Sequence, residues 1–157
     1  MIEFVGSACL APCNNRVMRC GVLRADLVLV RKQRREMVLL RGESVLRTYR
    51  IALGREPVGP KRQEGDGRTP EGRYILDRRN PKSKYHLSLH ISYPDAADVA
   101  RAMDAGVEPG GDIMIHGLRD GVRRDGDWTQ GCIAVTDEEM DEIWGLVGDG
   151  TPIWIEE

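Results

Sequence analysis

Phenylalanine occurs once in 157 residues, and all aromatics together make up only 5% of the chain. Neither sign of charge dominates: 23 Lys and Arg face 25 Asp and Glu, a net charge of -2. A chain with no basic excess and few aromatics has little with which to track a phosphate backbone or stack bases, so nucleic acid is not an expected partner. No apolar run approaches the roughly 18 to 20 residues of a membrane helix, so no membrane span is expected. The start of the chain does not read as a signal peptide. No basic residue precedes its short apolar stretch, and Pro12 stands where a lipid-attachment site wants a small residue.

Cysteine is sparse and unevenly placed. Cys9, Cys13 and Cys20 crowd the N-terminus, while Cys132 stands alone. The first three lack a nearby histidine or fourth cysteine to complete a tetrahedral set, so no metal site is expected. Residues 1–24 read as a tail, and residues 25–157 as a single domain large enough for a real core.

What is present is glycine, 18 of them, which suits a β-rich fold with elaborate turns. Short apolar runs at "ADLVLV" (25–30) and "EMVLLRG" (36–42) flank the basic "RKQRR" as a hairpin. "SVLRTYRIALG" (44–54), "RYILDR" (73–78) and "HLSLHISY" (86–93) alternate as strands. Between residues 55 and 72 runs a polar loop with three prolines, too broken for a regular element. Pro94 suits the first turn of a helix that stops at Gly106. Thr136 and Glu139 form a capping box for a second helix through Val147. With "DIMIHG", "GCIAV" and the closing "TPIWIEE" as further strands, the expected class is a β-dominated α+β fold with two short helices. Trp144 and Trp154 are expected in its core.

The stretch "IHGLRDGVRRDGDWTQGCIAV", residues 115–135, carries the chemistry. A thiol is a strong nucleophile once a base takes its proton, and histidine is the usual base. If the segments around His116 and Cys132 are neighbouring strands, the two side chains meet at one end of the sheet. Gly131 permits a tight turn that aims backbone N–H groups at an oxyanion. Gly117 would let a backbone carbonyl approach the imidazole and fix its tautomer. The competing reading is a buried, inert cysteine acting as a small hydrophobe.

"IHG" followed by a glycine-rich loop and "TQGCIAVT" resembles the signature of the L,D-transpeptidase (YkuD) family. "GDGRTPEGRYIL" and "YRIALG" resemble that family's upstream segments, and "SLHISYP" with "DWTxGCIA" resembles one of its subgroups. The resemblance implies a β-sandwich, Cys132 as nucleophile, His116 as base, and Gly117 and Gly131 as their backbone aids. It implies peptidoglycan stem peptides as substrate, a stem or a protein as acceptor, residence in the cell envelope or periplasm, and no cofactor. A monomer is expected. Many members carry arginine where this chain has Ala134; Arg119, Arg123, Arg124, Lys61, Arg62 and Arg68 are the candidates to replace it. His90, Trp128, Thr129, Arg119 and Arg68 are expected to contact substrate. His86 and His90 lie about 13 Å apart on a strand at roughly 3.3 Å per residue, too far to share a metal. Water in place of the acceptor would make the protein a hydrolase. A non-catalytic wall-peptide binder and a cytosolic redox sensor are the remaining alternatives.

Overall fold

The computed structural model describes residue 21, residues 23–122 and residues 124–157. Cys9, Cys13 and Cys20, Arg123 and nearly all of the expected tail lie outside the described residues. Eight strands form one sheet: β1 (Leu27–Arg31), β2 (Glu36–Arg41), β3 (Ser44–Arg50), β4 (Gly72–Ser83), β5 (His86–Ile91), β6 (Met114–His116), β7 (Ile133–Ala134) and β8 (Thr151–Glu156). Their order across the sheet is β3-β2-β1-β8-β4-β5-β6-β7. Most neighbours run antiparallel, but β1/β8 and β6/β7 are parallel pairs.

The sheet does not lie flat. Beyond β3 the chain reaches Ala52, which exchanges two 2.9 Å backbone hydrogen bonds with Ala134 on β7. Two residues on, Thr129 N–H donates to Leu53 O at 3.2 Å, and Arg55 N–H donates to Thr129 O at 3.1 Å. The first and last strands in sheet order are thereby brought together, and the sandwich is one sheet curled on itself. Regular pairing in β3 stops at Arg50, short of the expected Gly54, because the backbone leaves β2 there to bridge the far edge.

Alternation sends one set of side chains inward. Val28 and Val30 from β1, Met37 and Leu39 from β2, Leu89 and Ile91 from β5, Ile115, Ile133, and Ile153 and Ile155 from β8 make the core. Helix α2 (Asp137–Leu146) seals it with Met140 and Ile143, both fully buried. Its N-terminus is the expected box: Glu139 N–H donates to Thr136 Oγ1, and Thr136 N–H donates to Glu139 Oε2. Helix α1 (Ala96–Asp104) starts differently from expectation. Asp95, not a proline-led first turn, caps it, and Asp98 returns the bond to the cap backbone; Pro94 precedes the cap in a cis peptide. Asp98 also accepts from the Tyr74 hydroxyl at 2.9 Å and pairs with Arg101, which satisfies a carboxylate that is only 5% exposed.

One tryptophan departs from expectation as well. Trp154 projects outward from β8, 39% exposed, with the Arg73 guanidinium 4.4 Å from its ring centroid. Trp144 packs partly buried against the core beneath Arg79.

Around Gly54 the backbone leaves no room for a side chain. A Cβ there would sit 2.1 Å from Gly67 O and 3.0 Å from Gly131 Cα. Because both obstacles are backbone, Gly54→Ala forces two loops apart. The expected cost is roughly 2–3 kcal/mol in a urea unfolding titration, near the upper end of overpacking penalties.

Candidate active site

Strands β6 and β7 lie side by side and parallel, with His116 opposite Ala134. Two residues before Ala134, on the same face, stands Cys132. The expected meeting of the two segments is present, and both side chains line one cavity of about 270 Å³. Tyr85, Trp128, Arg119, Arg124, Thr129 and Gln130 complete its walls.

The histidine is held firmly. His116 is 4% exposed, and its Nδ1–H donates to Gly117 O at 2.7 Å, which leaves Nε2 as the free, basic nitrogen. Tyr85 stacks on the imidazole at 4.4 Å between centroids, and Trp128 meets it edge-on at 5.8 Å. Tyr85 also accepts the Gly117 N–H through its backbone carbonyl at 3.0 Å. Sequence reasoning missed Tyr85: "SKYHLSL" has no motif around it, and only the β4–β5 turn brings it over the histidine.

The cysteine is equally constrained. Its thiol donates to Asp112 O at 3.4 Å, and the Met114 N–H points at the sulfur. Burial raises the Cys132 thiol above its ordinary value, with the Met114 N–H opposing in part. Burial lowers the His116 imidazole, partly offset by its bond to Gly117. Both shifts favour the uncharged forms.

The turn before Cys132 depends on Thr129 and Gly131. Thr129 is 4% exposed; its hydroxyl donates to Cys132 O at 2.7 Å and accepts the Gly131 N–H at 3.1 Å. Gly131 has φ +135°, and a Cβ on it would lie 2.6 Å from Arg68 O. Its N–H is thus committed within the turn.

Behind this turn stands the β1–β2 hairpin. Arg35, at φ +52°, grips the Asp127 carboxylate from Nε at 3.0 and 3.1 Å and from Nη2 at 2.7 Å. Asp127 Oδ1 also accepts the Leu53 N–H at 3.0 Å. Lys32, 1% exposed, donates to Gly59 O, Thr69 O and Glu71, and so anchors the 55–71 loop. Thr69 Oγ1 in turn accepts the Gly54 N–H. The basic hairpin connection thus contributes two side chains that fix both loops bordering Cys132.

Other expected contacts fall elsewhere. His90 does not line this cavity; its Nδ1 bonds Asp77 at 2.6 Å. Arg68 presents its carbonyl to Gly131, while its guanidinium lies beside Gly59. Lys61 is buried against Asp66, and Arg62 borders a separate cavity. Of the arginines in the connecting loop, Arg119 and Arg124 reach the cavity. Among the described residues no group of three or more His, Cys, Asp or Glu side chains could hold a metal ion.

Residues 25–155 match the L,D-transpeptidase catalytic domain family, YkuD. The chain belongs to this family. YafK of Escherichia coli (strain K12), which carries a provisional L,D-transpeptidase name, is 34% identical over 105 residues, 66% of this chain and 37% of that protein. The helical cell shape determining protein Pgp2 from Campylobacter jejuni superposes with a TM-score of 0.67 at 28% identity, covering 83% of this chain and 47% of that one. An L,D-transpeptidase from Xylanimonas cellulosilytica shares the fold with a TM-score of 0.58 at 15% identity, covering 85% and 61%. The chain spans less than half the length of YafK and Pgp2.

Two outcomes are expected from this geometry. Iodoacetamide labelling of Cys132, followed by mass spectrometry across pH, should rise with a midpoint above the ordinary thiol range, because burial disfavours the thiolate. A plateau already reached near pH 6 would instead reveal a stored ion pair. Asp127→Asn, which weakens the Arg35 grip, should cost roughly 2 kcal/mol in urea unfolding, as for a hydrogen-bonded charge pair.

Proposed function

We propose that this chain is a cysteine acyl-transferase that acts on peptidoglycan stem peptides through a thioester on Cys132. The observation that carries the reading is the shared cavity. His116 and Cys132 line it together, with the imidazole tautomer set by Gly117 O so that Nε2 is left basic. Family membership supports the substrate class, and the cell-shape role in the Pgp2 name supports action on the wall. Such a substrate places the working protein in the cell envelope. No helix among the described residues is long and apolar enough to cross a membrane.

In the first half-reaction His116 Nε2 takes the thiol proton as Sγ attacks the carbonyl that precedes the terminal D-residue. The Cys132 N–H faces the developing oxyanion. As the tetrahedral intermediate collapses, the C–N bond breaks and the imidazolium returns its proton to the leaving amine. A thioester remains. In the second half-reaction His116 deprotonates an acceptor amine, which attacks the thioester. The C–S bond breaks, and the proton passes back to the sulfur. The acceptor is a second stem or a protein amine; water in its place gives net hydrolysis. The walls of Tyr85 and Trp128 limit water at the acyl group and favour the amine.

Intact-mass spectrometry of the protein with a stem tetrapeptide, and separately with a carbapenem, tests this reading. An acyl adduct is expected on the wild type and not on Cys132→Ser. His116→Ala should slow its formation by about 10²–10⁴, the usual contribution of a positioned base. A folded wild type that acquires no adduct from either compound would falsify the proposal. Adding an amine acceptor then separates transfer from hydrolysis.

A further inference from the structure

Among the described residues, one buried side-chain polar atom has no hydrogen-bond partner: Ser88 Oγ. Ser88 stands on β5, 1% exposed, and lies directly opposite His116 on β6. The backbone fixes the kind of pair they make. Ile91 N–H donates to Ile113 O at 2.9 Å, and Gly117 N–H reaches Leu87 O at 3.4 Å. Those positions are the hydrogen-bonded pairs of the antiparallel ladder, so Ser88 and His116 form a non-hydrogen-bonded pair between them. Side chains of such a pair share one face and stand closest, with Cβ atoms about 4.5–5.5 Å apart.

A buried hydroxyl without a partner weakens a folded protein, and alanine at the same place would not. The Ser88 oxygen gains a partner only when positive charge arises beside it. His116 has its Nδ1–H on Gly117 O, and on taking the thiol proton it becomes an imidazolium whose charge spreads to its C–H edges. An oxygen next to such an edge is a weak acceptor for the neutral ring and a better one for the charged ring. A contact of this kind, strengthened only as the proton moves, lowers the barrier and not the resting energy.

No carboxylate competes for the task. Around His116 stand Cys132, Arg119 and Arg124 in the shared cavity, and Tyr85 on the ring face. Asp137 of α2, beside Gly117, accepts the Leu118 N–H at 2.7 Å. The histidine ion pairs among the described residues are those of His86 with Asp141 and His90 with Asp77.

We infer that Ser88 is a positioning residue for His116, its free hydroxyl turning to steady the imidazole once it has taken the thiol proton. The assignment rests on the reading of His116 as the base in acyl transfer.

The chain has three histidines, so NMR can follow each titration separately, with His116→Gln assigning the signal of His116. Ser88→Ala should lower the His116 midpoint by about half to one pH unit, the size of one weak hydrogen bond. His86 and His90 should keep theirs, and the urea midpoint should hold or rise. Ser88→Thr, which retains the hydroxyl, should keep the wild-type His116 titration. Thioester formation from a stem tetrapeptide should slow about three- to tenfold in Ser88→Ala, the rate equivalent of that lost basicity. An unmoved His116 midpoint, a displacement of all three histidines, or a threonine variant that titrates like the alanine one would overturn the role. A selective His116 displacement with no thioester on the wild type would overturn the acyl-transfer reading and leave the support of the imidazolium standing. Thioester formation at the wild-type rate in Ser88→Ala, with His116 unmoved, would do the reverse.

Discussion

Three backbone segments meet behind Cys132 with nothing larger than hydrogen between them. Gly54, at the end of the β3 extension, lies against Gly67 O and Gly131 Cα, and Gly131 lies against Arg68 O. The contact costs the unfolded chain extra entropy at three glycines, yet it fixes where Cys132 sits relative to the sheet. Almost everything else at the site follows from this closeness. The curl of the sheet delivers Gly54, the 55–71 loop delivers Gly67 and Arg68, and the turn of Thr129 to Cys132 locks onto both.

The hairpin at the other side of that contact explains why the chain carries charge where a turn needs only polarity. Lys32 and Arg35 take carbonyls and carboxylates from the two loops that would otherwise be free to separate. A buried or half-buried cation with several oriented acceptors resists displacement because each broken bond strands a charge in a poorly solvated place. The position of Cys132 is thus set by groups roughly a hundred residues away in sequence.

That distance also divides what sequence shows from what it hides. The strands and α2 were legible, because alternation and the Thr136–Glu139 box are local signals. The His116–Cys132 pairing was legible because each sits beside a glycine in a motif. Tyr85 and Arg35 were not, since each reaches the site only through the curl or a turn, and nothing next to them in sequence marks the contact. Trp154 shows the same limit in reverse. Its strand was evident, but which face of β8 met solvent depended on the pairing with β4 and β1. Asp77 on the neighbouring strand decides the partner of His90.

The surroundings that disfavour the Cys132 thiolate have a consequence for durability. Oxidants attack thiolates far faster than thiols, so a protonated cysteine is a slow target for peroxide. In the cavity it shares with Tyr85 and Trp128, the same environment that raises the thiol slows its conversion to sulfur acids.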